Sequence, residues 1–102
     1  MGESILSLAV MEPFEGVEQE FLSVLSELYS VLERKGYSRD VLLRNHNQPP
    51  HYFNIRYWTS SAARQEAQED PDVHRCWARM GHLCHMRRVH DTLDEVDWKT
   101  PR

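Results

Sequence analysis

His51 to Leu83, HYFNIRYWTSSAARQEAQEDPDVHRCWARMGHL, decides the fold. HYFNIRYW reads as a strand, His51 to Trp58, in which Phe53, Ile55 and Tyr57 form an apolar face while Tyr52, Asn54, Arg56 and Trp58 form a mixed polar and aromatic one. Thr59-Ser60-Ser61 is a polar turn, and Thr59 or Ser60 caps an alanine-bearing helix over Ser61 to Glu69. Asp70 caps the next helix, with Pro71 at its first position. The spacing carries that helix to about Leu83, with Val73, Trp77, Met80 and Cys84 on one side.

Upstream, Ile5 to Met11 (ILSLAVM) is apolar on both alternating faces, which marks a strand buried on both sides, and Glu12-Pro13 closes it. Glu15 to Lys35 reads as a long helix with Val17, Phe21, Val24, Leu25, Leu28, Val31 and Leu32 on one stripe. Acidic residues gather at its start, Arg34-Lys35 stand at its end, and Gly36 is placed as a left-handed cap. Ser38 to His46 is a more polar strand, suited to a sheet edge, and Asn47-Gln48-Pro49-Pro50 forms a turn or loop. His85 to His90 supplies a last strand. The expected organisation is one domain over residues 1–91 followed by a polar tail, 92–102.

The order is strand, helix, strand, strand, helix pair, strand. With right-handed crossovers it gives an α+β, ferredoxin-like four-stranded antiparallel sheet, strands one and three central, helices on one face. The doubly apolar first strand then needs cover on the other face. In a chain of 102 residues a second copy is the natural cover, so a homodimer is expected.

Composition narrows the function. Apolar content of 40% and charged content of 27% are those of an ordinary globular domain. A net charge of -4 with mixed signs argues against a nucleic-acid surface. No apolar run reaches membrane-spanning length, and MGESILSLAVMEP is not a signal peptide, so a cytoplasmic setting without membrane contact is expected. Cys76 and Cys84, eight residues apart on one predicted helix, are separated by roughly 12 Å of helical rise, too far for a mutual disulfide.

EPFEGVEQEFLSVLSEL and YFNIRYWTSSAARQEAQEDPDVHRCW resemble the antibiotic-biosynthesis monooxygenase family: a proline-glycine turn into a first helix with an early Phe, a strand ending in an aromatic, a Ser-rich turn, an alanine-bearing helix and a proline-started helix. The resemblance covers Ile5 to His90. It implies a dimeric α/β barrel in which two sheets pack across the dimer axis, with a ligand pocket in each protomer between sheet and helices. The family holds cofactor-free oxygenases of polycyclic phenols, quinol oxygenases and haem-degrading oxygenases. The Asn, Trp and His set of the haem-degrading branch is not matched. Its Trp position falls on Ala67, its His position on Trp77, and the first strand has no Asn.

Two classes of function follow. The first is an oxygenase of a small aromatic or quinol that works without metal or organic cofactor. It needs an apolar slot, a hydrogen-bond partner or base for the phenol, and exclusion of water. His74 can accept the proton, Asn54 and Arg56 can stabilise an oxyanion, and Trp58, Trp77, Tyr57 and Met80 can line the slot. Each has a plainer reading: Trp77 as core, His74 as a solvated helix residue, Arg56 as a buried cation paired with an acid such as Glu12 or Asp91. The second class is a non-catalytic dimeric binding or stress-response module on the same fold, in which Trp77 and Met80 fill the helix–sheet space and leave no cavity. His82, Cys84 and His85 suit zinc by type, but no paired ligand motif accompanies them, and no metal site is expected.

Overall fold

The computed structural model describes residues 5–46 and 49–99. The elements run β1 (Ile5–Pro13), α1 (Glu18–Arg34), β2 (Ser38–Asn45), β3 (His51–Trp58), α2 (Ser61–Gln68), α3 (Pro71–Met80) and β4 (Cys84–Leu93). The four strands form one antiparallel sheet in the order β2-β3-β1-β4. Strands one and three are therefore central, as the ferredoxin-like reading requires. Among the described residues no helix is long and apolar enough to cross a membrane. Asn47 and Gln48, which the sequence places in a turn, lie outside the described residues.

The core sits between the sheet and the helices. α1 contributes Phe21, Val24, Leu25, Leu28, Val31 and Leu32, all buried, as its stripe predicts. The helix ends in a Schellman motif. Gly36 has φ +74°, its N–H donates to Glu33 O at 3.0 Å, and the Tyr37 N–H donates to Leu32 O at 2.9 Å. α2 is capped by Ser60, whose Oγ accepts from Ala63 N at 3.0 Å. α3 is capped by Asp70, which accepts from Asp72 N at 2.8 Å, with Pro71 following.

Several boundaries differ from the sequence reading. α1 begins at Glu18 rather than Glu15, because a turn intervenes in which Gly16 takes φ +84° and Val17 N donates to Phe14 O. β1 continues through Glu12 and Pro13, which pair with His85 and Cys84 of β4. The proline stands last, where its missing donor costs least. α3 ends at Met80, because the chain tightens into turns there: His82 N donates to Arg79 O and Leu83 N to Met80 O. Cys84 is therefore not on the helix with Cys76; it opens β4, and both thiols are free and buried. β4 also takes in Asp91, Thr92 and Leu93.

The sheet has two unlike faces. Towards the helices point Met11, Tyr52, Asn54 and Trp58, all buried. The β1–β3 register sets Leu6 opposite Tyr57, Leu8 opposite Ile55 and Val10 opposite Phe53, so these six apolar side chains share the other face. β2 adds Val41 and Leu43 beside Ile55 and Phe53. Leu43 is 49% exposed. Among the described residues no helix covers this face; α1 packs on α3 and β2.

Candidate active site

Between the helix-side face of the sheet and the helices lies a cavity of about 270 Å³. Ser7, Ala9 and Met11 of β1 and Asn54, Arg56 and Trp58 of β3 form its floor; Leu28, Trp77 and Met80 close it from α1 and α3. Arg64 and Gln68 of α2, Cys84, Met86, Val89 and Asp91 of β4, and Leu8 and Gly81 complete the lining. The wall is mostly apolar, as small-molecule sites are, with few polar groups.

Those polar groups are fixed. Asp40 of β2 lies directly across the sheet from Arg56, and its side chain is 2% exposed. Its carboxylate accepts from Arg56 Nε at 2.7 Å, from Asn54 Nδ2 at 3.0 Å and from Ser38 Oγ at 3.0 Å. Arg56 Nη2 donates to Asn54 Oδ1 at 3.2 Å, which closes a ring of Asp40, Asn54 and Arg56. The Arg56 guanidinium also stands 5.4 Å from the centre of the Trp58 ring. None of its hydrogen bonds to the described residues uses Nη1. Trp58 in turn donates its Nε1 to Ser7 Oγ at 2.8 Å, and Ser7 donates to the Asp91 carbonyl at 2.8 Å. The indole plane is thereby locked between β1, β3 and β4.

The structure thus brings Asn54, Arg56, Trp58, Trp77 and Met80 to one cavity. Tyr57 and His74 are not on its lining. Tyr57 falls on the opposite face by the two-residue period of the strand, where Arg39 stacks over its ring at 4.4 Å. His74 is exposed on α3; its ring lies 5.5 Å from that of Trp77, and its Nε2 contacts the Gln68 carbonyl. Arg56 is paired with Asp40, not with Glu12 or Asp91 as the sequence reading offered. Glu12 instead faces His51 and Arg87, each at 3.6 Å.

Two further groups border the site. The Cys84 thiol lines the cavity, and burial pushes its pKa up. Tyr29 of α1 has a buried hydroxyl with no hydrogen-bond partner among the described residues. Burial, and secondarily the Asp40 charge, raise its pKa well above the usual phenol range. Among the described residues no group of three or more His, Cys, Asp or Glu is placed to hold a metal ion.

The comparisons with known proteins agree with this architecture. SnoaB, a cofactor-independent oxygenase from Streptomyces nogalater, has a similar structure, with a TM-score of 0.76 at 20% identity over 94% of this chain and 99% of that one. A protein of Bacteroides thetaiotaomicron named after antibiotic biosynthesis monooxygenases superposes with a TM-score of 0.78 at 14% identity, covering 98% of this chain and 97% of its own. Rv0793 from Mycobacterium tuberculosis gives 0.71 at 16% identity over 92% and 99%. No curated protein matches the sequence. These identities speak to fold alone. The model of the family described as antibiotic biosynthesis monooxygenase matches residues 4–79, most of the chain, and the chain belongs to that family.

Proposed function

We propose that this chain is a cofactor-independent monooxygenase of a small aromatic or quinol-type substrate, acting as a homodimer. The observation that carries the reading is the cavity: an apolar, indole-walled space of about 270 Å³ with a guanidinium pinned in its floor and one nitrogen unused. The non-catalytic alternative requires Trp77 and Met80 to fill that space, and they line it instead.

The chemistry balances without an external reductant. A phenol carrying a ring C–H para to its hydroxyl, plus O₂, gives a quinone and water. The phenol proton leaves, and the anion delocalises onto the ring carbon. One electron passes to O₂, the radical pair combines into a hydroperoxide, and loss of water with the C–H proton leaves the carbonyl. In this reading Arg56 Nη1 holds the phenolate oxygen, Asn54 and Asp40 orient the guanidinium, and Trp58, Trp77 and Met80 sandwich the ring. Asp91, the carboxylate on the lining and itself exposed, is the group placed to pass the proton to water.

The test is aerobic turnover of a naphthol under isotopically labelled O₂. One labelled atom is expected in the quinone and the other in water. Arg56→Lys, which keeps a charge beside Asp40 but removes the planar fork, is expected to lower kcat at least about tenfold. Unlabelled quinone, or hydrogen peroxide as the sole reduced product, would refute monooxygenation. Support for the homodimer is the uncovered face of Leu6, Leu8, Val10, Phe53, Ile55 and Tyr57. Light scattering should give a dimer that Ile55→Lys dissociates; a native monomer would refute it.

A further inference from the structure

Among the described residues, Arg56 and Arg64 are the two Lys or Arg residues that are not exposed when the whole residue is counted, and both line the same cavity. Their electrostatic situations differ. Arg56 is neutralised from behind by Asp40 at 2.7 Å. Arg64, on the first turn of α2, is half-buried, and no hydrogen bond, ion pair or ring contact of the described residues engages its guanidinium. Asp91 is the carboxylate on the lining, and it forms no ion pair with Arg64.

A guanidinium withdrawn from water against an apolar wall loses hydration, and the loss is recovered only by an anion with matching geometry. The Arg fork matches a carboxylate bidentately. We infer that the cavity takes a hydroxyaryl carboxylate of one or two rings, with its carboxylate on Arg64 and its ring against Trp58 and Trp77. The inference rests on the reading of this cavity as the substrate site and adds a charge requirement to it. The size follows the volume: about 270 Å³ lies just under the range of about 300–1,000 Å³ typical of small-molecule sites, which suits one or two rings. Arg64 then selects substrate, while Arg56 attends the reacting oxygen.

The experiment compares a hydroxynaphthoate with its methyl ester, which has the same rings and no charge. Binding to the native protein is followed through quenching of the tryptophans that line the cavity. The acid is expected to bind about tenfold more tightly than the ester, and added salt should erode that preference. Arg64→Gln should bring the two to equal affinity with the ester unaffected, and Arg64→Lys should restore part of the preference. Equal binding of acid and ester to the native protein, or a preference that survives in Arg64→Gln, overturns the inference and leaves the cavity reading intact. Failure of both compounds to bind the native protein overturns both together. If Arg64→Gln does not fold, Arg64→Lys and the salt dependence of the native protein decide the question.

Discussion

Replacing Asp40 by Asn keeps the shape of the side chain and removes its charge, and the structure sets the consequence. The carboxylate is 2% exposed and its Arg56 partner 11%, so solvent screens neither. It accepts three side-chain hydrogen bonds, the shortest from Arg56 Nε at 2.7 Å. An amide cannot reproduce them, and Arg56 is left as an uncompensated cation under the helices. Breaking a buried pair from one side costs about 3–5 kcal/mol. Measured against a total of about 5–15 kcal/mol for a domain, that removes about a fifth or more of the stability. At about 4 °C or more per kcal/mol, the Tm should fall by at least about 12 °C. Arg56→Met should cost a similar amount from the other side. The double variant Asp40→Asn/Arg56→Met removes both charges, and should therefore be less destabilised than the sum of the singles by at least about 2 kcal/mol. Urea unfolding of the four proteins closes the cycle. Single variants within about 1 kcal/mol of the parent, or additivity within about 0.5 kcal/mol, would show that the pair is not a dry, mutually dependent unit.

Asp70 caps α3 and accepts from Lys35 Nζ at 2.8 Å and Tyr37 Oη at 2.7 Å, and these bonds hold its carboxyl below the usual Asp range. Its contribution is therefore fully present above about pH 4 and is lost as pH falls through the folded value. Asp70→Asn should flatten the acid limb of the stability–pH curve below about pH 4, and an unchanged limb would refute the linkage. The buried Cys76 and Cys84 thiols, both with pKa raised by burial, should resist an aromatic disulfide reagent in the native protein and react on unfolding. Prompt labelling of either at neutral pH would contradict that placement. Tyr29→Phe removes a buried hydroxyl that has no partner among the described residues, and it should leave stability unchanged or raise it by about 1 kcal/mol in thermal unfolding. A loss of that size would mean the hydroxyl is bonded.

Local signals carried most of the fold. β3 begins and ends where its alternation does, at His51 and Trp58, and α1 buries the stripe read from its three- and four-residue spacing. Strand order followed from chain order and handedness. What failed was information set by tertiary contact. The end of α3 depends on turns at Gly81 and on the Phe14 N–H meeting the Leu83 carbonyl, so Cys84 could not be assigned to β4 by periodicity. The partner of Arg56 depends on the β2–β3 register, and the connecting loop carries no turn signature that fixes its length. Arg64 and Gln68 stand four apart beside buried Ala67, a usable sign of a helix face turned inward, but an alanine-rich helix of mean polarity reads first as a spacer. His74 shares a helix with Val73 and Trp77, yet single-residue rotation about the axis decides whether it meets the cavity, and it does not.

The site and the predicted dimer are two consequences of one pattern. A sheet with helices on one face ordinarily buries its apolar side chains beneath them and shows polar ones to water. Here the assignment is reversed in the middle of the sheet, although Met11, Tyr52 and Trp58 still pack beneath the helices. Leu6, Leu8, Val10, Phe53 and Ile55 face away from the helices, while Asn54, Arg56 and Asp40 lie beneath them. Burying a charged pair and an amide on the covered side makes sense only where their hydrogen bonds are satisfied and a function uses what remains. The Asp40–Asn54–Arg56 ring meets the first condition, and the proposed hold of Arg56 on a phenolate would meet the second. The apolar side chains displaced to the far face then need their own cover, which no helix among the described residues supplies. Reversing the pattern on β3, with apolar residues at 54 and 56 and polar ones at 53 and 55, should therefore abolish the cavity's chemistry and dimerisation together. Conversely, if a single Ile55→Lys yields a folded monomer that still binds a naphthol, the two faces are separable and the site is complete within one chain.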